Sequence, residues 1–291
     1  MRVLVLGARG MLGRDLVEIF SPFYEVEGWD LRELDITRPE ETREKIARLQ
    51  PRIIVNCAAY TDVDGCESRE NLAFAVNAEG VRNLALAARS VEAKLVHLST
   101  DYVFDGGSRI PYKPDDPPSP LNVYGRSKLH GEILLRNSGA PYLIVRTAWL
   151  YGRGGKNFVA AILRQAEEGE DLRVVNDQRG SPTFTRDLSR AIRDLLEAGA
   201  GGIYHVTSAD SCTWYEFARE ILKQKAMSAV KIQPISSEEL RRTAKRPAFS
   251  VLDCTRYEIT CGKKMRPWKE GLQDYFSSGG KISREDTCER K

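Results

Sequence analysis

Five short, mostly apolar runs recur through the first half of the chain, each followed by a longer amphipathic stretch. They are Arg2–Leu6, Tyr24–Trp29, Ile53–Cys57, Lys94–Leu98 and Tyr142–Arg146. Runs with few polar breaks read as strands buried on both faces, and such strands belong to parallel sheets covered by helices. The intervening stretches Met11–Phe20, Pro39–Leu49, Glu70–Ser90 and Tyr124–Asn137 have helical patterning. The pattern therefore predicts an α/β fold, a Rossmann-type doubly wound parallel sheet, over residues 1–146.

Beyond Arg146 the pattern loosens. Helices are expected at Asn157–Glu168, Asp187–Glu197 and Trp214–Lys223, with short strands at Leu172–Val175 and Ile203–His205. Pro234 to Pro267 is rich in breakers, and a last helical region covers Pro267–Phe276. This reads as a smaller C-terminal lobe over 147–276, with segments near 172–199 returning to the first domain. The stretch 277–291 has too little apolar content to bury, so it is expected to be a disordered tail.

Composition narrows the function classes. A net charge of +3 on 291 residues is too weak and dispersed to make nucleic acid or a membrane the main partner. No apolar run approaches the roughly 18 residues of a membrane span. The N-terminal run is too short for a secretory signal, which places the chain in the cytoplasm. The six cysteines form no C-x-x-C pair, so neither a zinc site nor a disulfide framework reads out.

The first strand leads into Gly7-Ala8-Arg9-Gly10-Met11-Leu12-Gly13, a G-x-x-G-x-x-G turn before a helix. Glycines permit the tight turn and close approach of a pyrophosphate, and the helix N-terminus offers free N–H groups. Gly7, Gly10, Met11, Leu12 and Gly13 are thus candidate dinucleotide contacts. Asp30 closes the second strand and suits a ribose 2′-hydroxyl, which favours NADH. Arg9 and Arg32 suit a 2′-phosphate, which favours NADPH, and the sequence leaves both open. Asp35 and Ile36 are candidates for the adenine edge.

Tyr124-Gly125-Arg126-Ser127-Lys128 is Y-x-x-x-K, which on a helix puts phenol and ammonium on one face. An ammonium beside a phenol brings its proton toward working pH. Thr100 follows closely on the fourth run, at the carboxyl end where an open parallel sheet places its ligands, and can share a substrate oxygen with Tyr124.

These features, in this order, resemble the extended short-chain dehydrogenase/reductase superfamily. Asn56–Asp64, Ser99–Gly106, Arg146–Gly152 and Asp177–Thr183 resemble, within it, the dTDP-4-dehydrorhamnose reductases. The resemblance implies that Thr100, Tyr124 and Lys128 are catalytic. It implies that Ala58, Ala59 and Tyr60 join the cofactor set, with Lys128 also on the nicotinamide ribose. Thr61, Asp101, Tyr102 and Trp149 would face a dTDP-sugar, with Arg246 a candidate for its diphosphate. The implied reaction is NADPH- or NADH-dependent reduction of the C4 keto group of dTDP-4-dehydro-β-L-rhamnose, in dTDP-rhamnose biosynthesis. The resemblance also allows a homodimer. Some members bind Mg²⁺ through carboxylates, but Arg186 stands where one would be needed beside Asp15, so no metal is expected.

Competing readings share the fold. A 4,6-dehydratase needs a carboxylate base where this chain has Tyr102, an intrinsically poor base. A 4-epimerase has no positive signal here. Another nucleotide-sugar ketoreductase, or a non-catalytic subunit similar to the β subunit of methionine adenosyltransferase, would keep the same motifs. Thr61, Asp101 and Trp149 favour an enzyme.

Overall fold

Alternate residues of the first strand point to opposite helix layers, and both sets are buried. The computed structural model describes residues 1–169 and 171–278. In it, Val3 and Val5 pack with helices α1 (Met11–Phe20) and α6 (Thr185–Glu197). Leu4 and Leu6 pack on the other face with Ile46 of α2 (Pro39–Leu49) and Leu84 of α3 (Gly80–Ser90). A strand covered on both sides has no face to spend on polar residues, which is why the sequence reads as a continuous apolar run.

Six strands form one parallel sheet: β1 (Arg2–Leu6), β2 (Glu25–Trp29), β3 (Ile53–Asn56), β4 (Lys94–Thr100), β5 (Tyr142–Thr147) and β6 (Gly202–His205). Their spatial order is β6-β5-β4-β3-β1-β2. The chain leaves β1 toward β2 and then resumes on the other side of β1 at β3. That reversal opens a crevice beyond the strand C-termini, where such sheets bind ligands.

Most sequence-derived elements fall within one or two residues of those observed. The helix expected over Glu70–Ser90 differs: it is split into Glu70–Phe74, a π-helical turn at Ala75–Glu79, and α3. The π-turn aims Asn77 inward. Asn77 Nδ2 donates to the Tyr60 carbonyl at 3.0 Å and to Ser127 Oγ at 3.0 Å, and its Oδ1 accepts from the Tyr60 N–H at 2.8 Å. A short helix at Val63–Ser68, capped by Asp62, also had no clear sequence signal.

The smaller lobe has its own apolar core around Tyr151, Phe184, Phe217 and Leu272. It draws on α5 (Phe158–Glu167), α7 (Trp214–Gln224) and α8 (Trp268–Ser277). Leu172–Val175 pairs with Ile232–Ile235 in this lobe, whereas α6 and β6 return to the main sheet. The expected tail begins inside α8 at Ser277, and its remainder from 279 lies outside the described residues, as does Cys288. Cys57, Cys66, Cys212, Cys254 and Cys261 are free thiols. No helix among the described residues is long and apolar enough to cross a membrane.

One ion pair is buried under the C-terminal edge of the sheet. Arg146 of β5 grips Glu132 of α4 (Val123–Asn137) bidentately, at 2.9 and 2.7 Å. Both side chains are 1–2% exposed. Ser99 of β4 donates to the same carboxylate at 2.5 Å. Removing one partner of such a pair strands the other charge in a desolvated site. Arg146→Met is therefore expected to lower unfolding free energy by about 3–5 kcal/mol. The Arg146→Met/Glu132→Leu double variant should recover much of that loss in urea melts.

Candidate active site

The β1–α1 turn is built as an anion seat. Gly7 has φ +72°, in the left-handed region that favours glycine. A Cβ on Gly13 would lie 2.0 Å from the Gly7 carbonyl, so only glycine lets helix and turn approach this closely. Gly10 caps α1 without a side-chain hydrogen bond, and no acidic residue sits in the first turn. The helix therefore presents free N–H groups and the positive end of its dipole to the crevice.

A cleft of about 710 Å³ opens from this turn. It brings together Gly7, Gly10, Met11, Leu12, Gly13, Asp30, Asp35, Ile36, Ala58, Ala59, Tyr60, Tyr124 and Lys128 of the dinucleotide candidates, but not Arg9 or Arg32. Thr61 lines it as well. So do Thr147, which lies in the Arg146–Gly152 segment but was not nominated, and Gly155 and Lys156, which carried no sequence signal. Two buried polar atoms of lining residues, Tyr60 Oη and Thr147 Oγ1, have no hydrogen-bond partner.

At the adenosine end, Asp30 Oδ2 accepts from the Arg9 N–H at 2.6 Å. The Arg9 guanidinium is drawn to Glu33 at 2.5 Å, whereas Arg32 is exposed. Arg9, Asp30, Leu31 and Arg32 surround a side recess of about 460 Å³. Both the acid and the bases weighed for the ribose thus face the same space.

Tyr124 and Lys128 sit on the first two turns of α4, whose N-cap Asn122 accepts from the Gly125 N–H at 2.8 Å. Burial pushes the Tyr124 phenol above its ordinary value, and a hydrogen bond with Thr100 opposes that shift. The Tyr102 ring meets Tyr124 edge to face at 5.9 Å. Lys128 is 2% exposed, and burial lowers its ammonium to about 8. Its Nζ donates to the Leu98 carbonyl at 2.6 Å and lies 3.4 Å from His97 Nε2. The sequence expectation that this ammonium brings the phenol toward neutrality is not how the side chain rests here: its hydrogen bond goes to the sheet.

Thr100 ends β4 and caps the Asp101–Val103 turn by accepting from the Tyr102 N–H at 3.1 Å. Its own hydroxyl donates to Asp101 Oδ1 at 3.0 Å. Asp101 is 2% exposed, its Oδ2 has no partner, and burial pushes its carboxyl up to about 6. Thr100, Asp101 and Tyr102 therefore cluster beside Tyr124, but behind the cleft wall: none of the three lines the cleft itself.

The two remaining candidates are engaged elsewhere. Trp149 has φ +48°, a strained conformation for a bulky residue. Its indole stacks on Trp214 at 3.5 Å with planes 7° apart, and a Cβ on Gly180 would come within 2.5 Å of it. It is half-buried in the lobe's aromatic core. Arg246 is paired bidentately with Asp64, at 2.9 and 3.1 Å. Burial alone would push the Asp64 carboxyl up, but bonds from Arg246, the Ala244 N–H and Arg242 hold it at about 2. Asp15, beside Arg186 and Arg153, accepts from Thr185 Oγ1 at 2.5 Å.

Comparison with known proteins places this geometry. A family model described as "RmlD substrate binding domain" matches residues 1–279. The dTDP-4-dehydrorhamnose reductase of Streptomyces griseus is 42% identical over 282 residues, covering 94% of this chain and 93% of that protein. The dTDP-4-keto-6-deoxy-D-glucose reductase of Streptomyces niveus is 41% identical over 280 residues, covering 94% and 96%. The crystal structure of dTDP-4-dehydrorhamnose reductase from Bacillus anthracis, in complex with NADP, superposes with a TM-score of 0.93 at 41% identity, covering 95% of this chain and 99% of that one. With a glycine turn, a Tyr124/Lys128 helix and a matching chain course from end to end, the protein belongs to the RmlD family, that of the dTDP-4-dehydrorhamnose reductases.

Proposed function

We propose that the protein reduces the C4 keto group of dTDP-4-dehydro-β-L-rhamnose to give dTDP-β-L-rhamnose, with NADPH or NADH as the reductant. The observation that carries this reading is the placement of Tyr124 and Lys128 on the wall of the same cleft as the glycine turn. The cofactor, when bound, supplies the hydride. The free N–H groups of α1 would hold its pyrophosphate, Asp30 its adenosine ribose and Lys128 its nicotinamide ribose.

The chain's own groups handle the proton. Tyr124 holds a proton tightly in the resting site, so it is a donor and not a base until negative charge develops on the substrate oxygen. A donor aimed where charge appears only in the transition state lowers the barrier without tightening the ground state. Thr100 assists by turning its hydroxyl from Asp101 to the same oxygen. Lys128, as an ammonium, stabilises the phenolate that remains. Asp101 and Tyr102 would position the sugar. Trp149 would offer it a ring edge, since one face is covered by Trp214. Arg246 would serve the diphosphate while still paired with Asp64. Use of a soluble nicotinamide cofactor supports a cytoplasmic location.

A second substrate is favoured by a specific finding. The 41% identity to a dTDP-4-keto-6-deoxy-D-glucose reductase is within one percentage point of the 42% to the Streptomyces griseus rhamnose enzyme. Assaying both keto-sugars with NADPH and with NADH, and identifying the products, decides between them. Absence of turnover with either would overturn the enzymatic reading.

Three outcomes are expected. Tyr124→Phe should lower kcat by about 10²–10⁴-fold, the usual worth of a general acid, with cofactor Kd changed little in a fluorescence titration. With the Lys128 ammonium at about 8 in the cofactor-free protein, kcat/KM for NADPH should fall up to tenfold per unit above that pH, because the cation is lost as pH rises. Asp30→Ala should shift the kcat/KM ratio toward NADPH, since a carboxylate beside a 2′-phosphate is repulsive. An unchanged ratio would remove Asp30 from the ribose.

A further inference from the structure

A chain of buried polar groups leads away from Lys128 into the sheet, and the reaction outlined above does not use it. His97 of β4 is 0% exposed. Its Nδ1 lies 3.3 Å from Asn56 Nδ2, and its Nε2 lies 3.4 Å from Lys128 Nζ. A neutral imidazole has one donor nitrogen and one acceptor nitrogen. Burial and the neighbouring Lys128 hold His97 well below its ordinary value, so the doubly protonated ring is excluded at neutral pH.

A fixed donor decides which nitrogen carries the proton. The backbone N–H of Ala58 donates to Asn56 Oδ1 at 3.1 Å. That bond sets the carboxamide, so the amide NH₂ faces His97 Nδ1. Nδ1 must then accept, and Nε2 must carry the hydrogen. The Nε2–H points at Lys128 Nζ. An ammonium has three donors and no lone pair, so it would meet another donor there. A neutral amine accepts from His97 and still donates to the Leu98 carbonyl at 2.6 Å.

We propose that His97 is a positioning residue: locked as the Nε2–H tautomer by Asn56, it favours the neutral amine of Lys128 in the cofactor-free protein, so that dinucleotide binding is coupled to uptake of one solvent proton at Nζ. The tautomer follows from the hydrogen bonds alone. The coupling rests on the proposed function, in which ribose oxygens and phosphate charge enter the cleft at Lys128. The other groups facing Lys128 are few. Burial lowers its ammonium, while Glu132 on its own helix and Cys57 after β3 favour the charge. Tyr124 lies one turn earlier on α4. The cleft reaches both ends of the chain of bonds, Ala58 and Lys128, so a ligand can act on either.

The protein has three histidines, and the structure supplies an internal control. His205 Nδ1 lies 2.9 Å from the Tyr112 carbonyl, which can only accept, so His205 is the Nδ1–H tautomer. In ¹⁵N-histidine NMR of the cofactor-free protein, with His130→Asn removing the exposed ring, His97 and His205 should show opposite tautomers. An Nδ1–H signal from His97 overturns the proposal. Calorimetric titration with NADPH at pH 8.5, in buffers of differing ionisation enthalpy, should show uptake approaching one proton per site. In His97→Gln, whose carboxamide oxygen can accept from an ammonium, uptake should fall at least twofold. Equal uptake in both proteins assigns the proton elsewhere and overturns the role of His97. Failure of NADPH to bind at all would instead sink the functional reading and leave the tautomer result standing.

Discussion

The two elements that carry the candidate catalytic side chains, β4 and α4, are fixed to each other and to β5 by a single desolvated ion pair. Arg146 belongs to β5, Glu132 to α4, and Ser99, which donates to the same carboxylate, to β4. Thr100 follows Ser99, and Lys128 stands one turn before Glu132. The Pro114 carbonyl and His205 Nε2, at 3.2 and 3.4 Å, take up the remaining face of the guanidinium, and the Phe104 ring lies 5.2 Å from it. A buried charge pair is a weak source of net stability, because desolvation offsets most of its Coulomb attraction. Its consequence here is geometric. A helix and two strands that could slide against an apolar seam are held in one register by directional bonds, and the offset between Thr100 and Tyr124 is held with them.

The same desolvation sets the protonation states of the site. It pushes the Tyr124 and Tyr102 phenols up, raises the Asp101 carboxyl to about 6 and lowers the Lys128 ammonium to about 8. Groups that would be inert at neutral pH in water are displaced toward it or locked as donors. Acid and base character therefore come from the low-dielectric wall of the cleft more than from contact between Tyr124 and Lys128. Y-x-x-x-K suggests direct electrostatics between the two side chains, whereas the resting Lys128 is bonded to β4.

How much of this was legible depended on whether a residue's role is local. The strands of the first half were readable because burial on both faces leaves only apolar residues. The glycine turn was readable because its geometry excludes side chains, and Tyr124 with Lys128 because helical spacing fixes their relation. Asn77 was not: nothing local distinguishes it from other polar helix residues, and its π-turn is set by a backbone 17 positions earlier. Glu132 and His97 were invisible for the same reason, since their partners lie on other elements. Trp149 was visible as an aromatic residue near a strand end. Its stacking on Trp214, 65 positions later, depends on a lobe whose short pairings leave no periodic trace.

The contact between the two halves of the site follows from this. Asn122 caps the helix that bears Tyr124 and, through Nδ2, holds the Lys245 carbonyl at 2.7 Å. Asp64, in the short helix Val63–Ser68, holds Arg246 and the Ala244 N–H. The loop around 244–246 is thus tied to the start of α4 and to that short helix at once. Arg246 cannot act as a free cation, because the carboxylate beside it cancels much of its field at any distance beyond a few ångströms. A diphosphate that engaged it would have to share the guanidinium with Asp64 or displace that bond. Either way the 244–246 loop stays bonded to α4, because Asn122, the cap of the helix that carries Tyr124, holds the Lys245 carbonyl.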